Sequence, residues 1–375
     1  VSAVLFAGGG TGGHLYPALA LANALREQRP DVRVHFAGAA RGVEARVLPQ
    51  QGEPHTLLPF QPIYRDRIWR NWRLLPALVG SARGLARLFR ELRPGLVVGT
   101  GGYASGPACL WALLRGVPVA VQEQNSWPGL TTRLVARRAR QVHLGFPEAE
   151  RHLKPGPRTR VFAHGNPIRP PDPTLDRTGS RAQFGLAADA VVVLVVGGSQ
   201  GSRAINDALL SALEGVARGE LTARPPGLEI LWATGPTHVD GVRERLAPLG
   251  LGGWVHVVGY IDAMPRALAS ADVALSRAGA MATAELLAWG VPAVLVPLPT
   301  AAADHQTHNA RALAEAGTAV FLAQGEMTGG RLWRELTSLV ADGARRTDMR
   351  HAALARARPD AARAIARELL TLIAA

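Results

Sequence analysis

Two parallel α/β domains joined by one linker are the fold this sequence predicts, and three observations predict it. Glycine clusters stand where a strand should hand over to a helix: Gly8-Gly9-Gly10-Thr11-Gly12-Gly13-His14, Gly99-Thr100-Gly101-Gly102-Tyr103 and Gly197-Gly198-Ser199-Gln200-Gly201. Short apolar runs alternate with helical patterns along the chain, the mark of βαβ units and a parallel sheet. The alternation breaks once, over the proline-rich residues 165–176, and restarts as a weak repeat, Leu5-Phe6-Ala7-Gly8-Gly9 answered by Val195-Val196-Gly197-Gly198. At 375 residues the chain is too long for one small core and suits two domains.

In the first half, strands are expected at 4–7, 32–37, 96–98, 117–122 and 141–144, with a helix over 17–28. Residues 4–7 and 191–196 are uninterrupted apolar runs, as parallel strands covered on both faces should be. Residues 165–176, polar and rich in proline, read as a linker. Beyond it come strands at 191–196, 229–233, 255–259, 273–276 and 293–296, then a helical tail over 360–373. The expected domains are 1–164 and 165–349, with the terminal stretch at about 350–375 packing back on the first. Two Rossmann-like domains facing each other across a cleft follow, with ligands outside the carboxyl ends of the strands, where the glycine turns lie.

A turn without Cβ atoms, opening onto the positive end of a helix, is a phosphate cradle. Gly8-x-Gly10-x-x-Gly13 also satisfies the dinucleotide fingerprint, but the acid that should end the second strand and hold a ribose is missing. Glu44 lies well past that strand. A nicotinamide enzyme is therefore disfavoured.

The composition, 47% hydrophobic and 19% charged, is that of a globular chain. A formal net charge of +13, almost all of it arginine, points to an anionic partner. With 5% aromatic residues and no recognisable nucleic-acid motif, that partner is not expected to be nucleic acid. The single Cys109 excludes an internal disulfide and reads as a buried small hydrophobe. No Cys/His cluster has zinc spacing and no Asp-x-Asp pair is present, so metal-free chemistry without a cofactor is expected. The uncharged stretches 96–114 and 286–303 are broken by glycine and proline and are not spanning helices. Residues 1–6 do not read as a secretory signal.

The motifs in order resemble the bacterial MurG family. They are Gly9-Gly10-Thr11-Gly12-Gly13-His14, Gly101-Gly102-Tyr103-x-Ser105-Gly106-Pro107, Glu123-Gln124-Asn125 and Gly165-Asn166-Pro167-Ile168-Arg169 in the first half. In the second come Gly197-Gly198-Ser199-Gln200-Gly201, Tyr260-Ile261-Asp262-x-Met264, Arg277-x-Gly279-Ala280, Glu285 and Asp304-His305-Gln306-x-x-Asn309-Ala310. The resemblance covers nearly the whole chain. It implies a GT-B glycosyltransferase fold and an inverting transfer of N-acetylglucosamine from UDP-N-acetylglucosamine to the undecaprenyl-diphosphate-linked muramyl-pentapeptide, lipid I, giving lipid II. The expected place is the cytoplasmic face of the bacterial plasma membrane, as a peripheral protein.

The resemblance also implies roles. The N–H groups of Ala280, Met281 and Ala282, at the start of a helix running on through Glu285, would hold the leaving β-phosphate. Glu285 would accept both ribose hydroxyls. Arg169 and Ser199 resemble phosphate contacts, Ile261 a main-chain reader of uracil, and Gln306, His305 and Asn125 groups that reach the sugar hydroxyls. Thr11, Gly12 and Gly13, with the first two glycine clusters, would take the acceptor diphosphate. His14 is a candidate base, since an unperturbed imidazole titrates near ~6.5; Glu123 and Tyr103 are its rivals. Ala282 departs from the family, which has a hydroxyl residue there.

For the lipid-linked acceptor, residues 63–93 offer Ile68, Trp69, Trp72, Leu75 and Val79 among arginines such as Arg70 and Arg73, although Pro76 argues for a break. Tryptophan beside arginine suits an anionic membrane surface. Trp111 with Arg115 extends the patch. Another GT-B UDP-sugar enzyme, a glycolipid glycosyltransferase or a UDP-sugar 2-epimerase, is the alternative.

Overall fold

The computed structural model describes residues 3–61 and 74–373, and the chain divides into two compact units, Val1–Arg169 with Arg358–Ala375, and Pro170–Ala357. Unit 1 runs β1 (Ala3–Gly8), α1 (Gly12–Gln28), β2 (Arg33–Ala39), α2 (Glu44–Gln50), β3 (His55–Leu58), α3 (Leu74–Leu92), β4 (Pro94–Gly101), α4 (Ser105–Leu114), β5 (Val119–Glu123), α5 (Leu130–Val135), β6 (Gln141–Leu144) and β7 (Arg160–Phe162). All strand pairs are parallel, in the order β3-β2-β1-β4-β5-β6-β7. The order reverses between β1 and β4, the switch point at which a doubly wound sheet opens its binding crevice.

Unit 2 repeats this plan. It runs α6 (Arg177–Gln183), β8 (Val191–Val196), α7 (Arg203–Ala217), β9 (Leu228–Ala233), α8 (Val239–Leu246), β10 (Val255–Val258), α9 (Met264–Ser270), β11 (Val273–Ser276), α10 (Ala280–Ala288), β12 (Ala293–Leu295), α11 (His305–Glu315), β13 (Ala319–Phe321), α12 (Gly329–Ala341) and α13 (Gly343–Arg356). Its parallel order is β10-β9-β8-β11-β12-β13, with the switch point between β8 and β11.

Alternation along β1 explains the layering of unit 1. Val4 and Phe6 face one core, shared with Leu15, Leu25 and the C-terminal helix α14 (Ala361–Ile373); Leu5 and Ala7 face the other, shared with Leu85 of α3 and Ala108 of α4. Helix α14 enters through Ile365 and Leu369, both fully buried, and lies along α1. Residues 350–356, expected with this tail, lie in α13, and they and Ala357 belong to unit 2.

Other differences have local causes. Helix α1 starts at Gly12, five residues before the expected Pro17, because the glycine turn itself opens the helix. Pro76 does not break α3, which runs on through it to Leu92.

Candidate functional site

In unit 1, Thr11, Gly12, Gly13, His14 and Tyr103 gather at the β1/β4 switch point. His14 lies in the first turn of α1, half-buried. Its Nδ1 is 3.1 Å from the Thr100 carbonyl and 3.0 Å from Gln124 Oε1. The Gln124 amide nitrogen donates to the Thr100 and Gln122 carbonyls at 2.8 and 3.2 Å, which turns its oxygen toward His14. Both partners of Nδ1 are thus acceptors. The proton is assigned to Nδ1 and the basic lone pair to Nε2.

The second glycine cluster makes room for this ring. A Cβ on Gly101 would lie 2.8 Å from His14 Nδ1, one on Gly102 would lie 3.1 Å from Cδ2, and both backbones have positive φ, +93° and +75°. Thr100 Oγ1 donates to the His14 carbonyl at 2.9 Å. The Tyr103 ring lies over Gly10, where a Cβ would stand 2.5 Å from it. Thr11 is the N-cap of α1, with Gly12 and Gly13 following; no side chain caps this helix and no acid occupies its first turn.

Glu123, at the end of β5, is buried and committed. Its Oε1 accepts the Asn125 N–H at 3.1 Å and the Asn125 amide at 3.3 Å, and its Oε2 accepts the Gly129 N–H at 3.0 Å. The carboxylate therefore closes the turn that presents Asn125. Arg169 is exposed at the end of the first stretch of unit 1.

In unit 2, Ser199 is exposed in the turn after β8, with Gly198 and Gly201 at φ +105° and +74°. Helix α10 opens at Ala280 with neither a side-chain cap nor an acid in its first turn, which leaves its end positive. Half-buried Met281 and Ala282 follow. Glu285, further along α10, is half-buried, and desolvation pushes its carboxyl up to about 7. Ile261 is buried beyond β10. On α11, Gln306 Oε1 accepts the Leu298 N–H at 3.0 Å, and His305 Nδ1 stands 2.8 Å from the Ala302 carbonyl. Ala303 and Asp304, just before them, have φ of 52° and 53° without being glycine. Strain of this kind concentrates where a loop is held in place for function.

Sequence reasoning gave no role to two groups, Arg277, quoted only as part of a motif, and Glu44. Arg277 donates to Ser202 Oγ at 2.7 Å and to the Val296 and Pro297 carbonyls at 3.2 and 3.1 Å, bracing the ends of β8, β11 and β12. It has no carboxylate partner among the described residues, and burial lowers its pKa without discharging it. Its place directly after β11 was the available signal. Glu44, set aside as too far along the chain, reaches back to the first glycine turn: Gly10 donates to both its oxygens, at 3.1 and 2.9 Å.

The two halves of the chain match, in turn, the glycosyltransferase family 28 N-terminal domain over residues 4–144 and its C-terminal domain over residues 192–365. A protein of Moorella thermoacetica, named UDP-N-acetylglucosamine–N-acetylmuramyl-(pentapeptide) pyrophosphoryl-undecaprenol N-acetylglucosamine transferase, is 42% identical over 99% of each chain. The chain belongs to the MurG family. The crystal structure of the Acinetobacter baumannii MurG superimposes with a TM-score of 0.78 at 29% identity, covering 99% of this chain and all of that one. A UDP-glucose:anthocyanidin 3-O-glucosyltransferase in complex with UDP, 15% identical with a TM-score of 0.67 and covering 100% and 99% of the two chains, shares the GT-B fold. The family is a glycosyltransferase family, so neither a nicotinamide enzyme nor a UDP-sugar 2-epimerase describes it.

Proposed function

We propose that this chain transfers N-acetylglucosamine from UDP-N-acetylglucosamine to the muramyl 4-hydroxyl of lipid I, with inversion, and so forms lipid II for peptidoglycan. The observation that carries this reading is 42% identity over 99% of the chain to a relative named for that transfer.

The chemistry divides between the units. In unit 2 the amides opening α10 take the β-phosphate, and Arg277 adds a fixed positive charge beside them, so that negative charge growing on the phosphate is stabilised as its bond to the sugar C1 breaks. Glu285 accepts the ribose hydroxyls and the Ile261 main chain reads uracil. Ser199 contacts a phosphate, and Gln306 and His305 reach the sugar; Arg169 and Asn125, which belong to unit 1, keep the phosphate and sugar roles that the resemblance implies. In unit 1, His14 Nε2 takes the proton of the acceptor hydroxyl as its oxygen bonds to C1, and UDP departs. Glu123 holds Asn125 and is not the base. Tyr103 remains a second candidate, against the same turn.

The acceptor's lipid requires a membrane face. Among the described residues no helix is long and apolar enough to cross a membrane. Helix α4 adjoins both α3 and α5, and the three expose Leu78 and Val79, Leu110 and Leu114, and Leu130 and Leu134; Leu114 is 77% exposed. Arg83, Arg87, Arg90, Arg115, Arg137 and Arg138 accompany them on the same stretches, and Arg115 stacks over the Trp111 ring at 5.2 Å. This face docks on anionic headgroups, peripherally, at the cytoplasmic surface. The expected residues Ile68, Trp69, Arg70, Trp72 and Arg73 lie outside the described ones.

One experiment tests function and docking together: lipid II formation measured on lipid I in detergent and in anionic vesicles. Wild type is expected to form product in both. Replacing Leu110 and Leu114 by Ser should weaken vesicle binding by at least about a hundredfold, lower the rate in vesicles accordingly and leave the detergent rate unchanged, because burial of each leucine contributes about 1.5–3 kcal/mol. Equal rates for variant and wild type in vesicles would remove this face from the membrane.

A further inference from the structure

The first glycine turn, the strongest phosphate-cradle signal in the chain, already holds an anion of its own. Glu44 is fully buried, its oxygens accept the Gly10 N–H, and its Oε1 also accepts the Ala39 N–H at 2.7 Å. No basic side chain pairs with it among the described residues. A carboxylate served only by backbone N–H groups at a strand-to-helix turn sits as a phosphate would.

The surrounding sequence is shaped to admit it. A Cβ on Gly9, Gly38 or Gly42 would run into the Glu44 side chain, so three glycines from three segments leave space for one carboxylate. The turn it holds carries the site. Tyr103 lies over Gly10, a Cβ on Gly102 would strike the Gly9 carbonyl, and Gly101 and Gly102 border the His14 ring.

We propose that Glu44 is the resident anion of the first glycine turn, a positioning residue that fills the phosphate place between Gly10 and Ala39 and sets the turn against which Tyr103 and His14 are placed. Two consequences follow, resting on the reading that unit 1 handles the acceptor. The acceptor diphosphate is held by groups other than the Gly10 amide. A dinucleotide is excluded from the turn by the carboxylate, whatever its glycine spacing suggests.

The test uses the full chain with Glu44→Ala and Glu44→Gln, and sodium formate as the probe. UDP is present throughout the melting measurements so that the phosphate positions of unit 2 are filled. The melting temperature of Glu44→Ala should rise with formate at constant ionic strength, and that of wild type should not. The lost carboxylate is then replaced in its cavity. In the transfer reaction both variants should lose up to about a hundredfold in kcat, the cost of misplacing a reacting group by about 1 Å. Donor affinity should stay within twofold, and formate should restore part of the Glu44→Ala loss. An equal formate response in wild type and Glu44→Ala, or none in either, overturns the proposal irrespective of the reaction catalysed. Should Glu44→Ala not fold, Glu44→Gln decides: kcat within twofold of wild type overturns the proposal, and loss of kcat with donor affinity kept supports it. Formate-dependent melting in a protein that makes no lipid II would contradict the functional reading alone.

Discussion

Replacing His14 by alanine is expected to lower turnover by about a hundred- to ten-thousandfold, the range that a positioned general base contributes, with donor affinity within twofold of wild type. The expectation rests on how the ring is held. With Nδ1 3.1 Å from the Thr100 carbonyl and 3.0 Å from Gln124 Oε1, the imidazole is fixed in the tautomer whose lone pair is on Nε2. A base acts on the acceptor hydroxyl in the transition state, so its loss falls on kcat and leaves binding of the UDP-sugar in unit 2 untouched. Steady-state kinetics beside donor titration measure the split. Turnover retained within a few-fold would pass the role to Tyr103, and a rise in acceptor KM alone would make His14 a ligand of the acceptor diphosphate.

Donor affinity should fall about ten- to a hundredfold in Glu285→Ala, since a hydrogen bond to a charged acceptor contributes about 1.5–3 kcal/mol. Burial gives this residue a second signature. With its carboxyl pushed up to about 7, Glu285 in the empty protein is largely protonated below neutrality. Accepting two ribose hydroxyls favours the ionised form, so binding releases a proton at pH 6 and affinity strengthens as pH rises through about 7, then levels off. The sign for stability is opposite. Because the folded pKa of about 7 lies above the ordinary 4.5, the empty protein holds the extra proton between these values, and stability from this group is lost as pH rises through the folded pKa. Calorimetric titration of UDP-N-acetylglucosamine in buffers of different ionisation heat reads the proton release. Affinity independent of pH from 6 to 8, together with unchanged binding in Glu285→Ala, would place the ribose elsewhere.

The central strands were legible because a parallel strand covered on both faces reads as a continuous apolar run, as Val191–Val196 does. The strands that escaped, His55–Leu58, Arg160–Phe162 and Ala319–Phe321, are short and form sheet edges, where one neighbour is missing and polar residues are tolerated. Helix starts were harder than strand ends. Gly12-Gly13-His14 reads as turn, yet it is the first turn of α1, because the preceding glycines set its entry and no side-chain cap is needed to mark it.

For the site, residue types and their order along the chain placed the glycine turns at the carboxyl ends of strands, but not which glycine serves which purpose. Gly101 and Gly102 accommodate an imidazole, and Gly9, Gly38 and Gly42 accommodate a carboxylate. Glycine spacing is the same whether the guest is a phosphate or a side chain, so only tertiary contact separates them. The role of Arg277, quoted in a motif, was hidden for a related reason: its partners are the Val296 and Pro297 carbonyls and a hydroxyl, which leave no charge pattern in sequence.

The most direct measurement of the central claim is to follow both the sugar and UDP with the purified protein, UDP-N-acetylglucosamine and excess chelator, with and without lipid I. UDP release is expected only when lipid I is present, in step with a β-linked disaccharide on the muramyl 4-hydroxyl, and unaffected by chelation. Donor consumed in the absence of acceptor with appearance of an epimeric UDP-sugar, or a strict requirement for a divalent metal, would contradict the account.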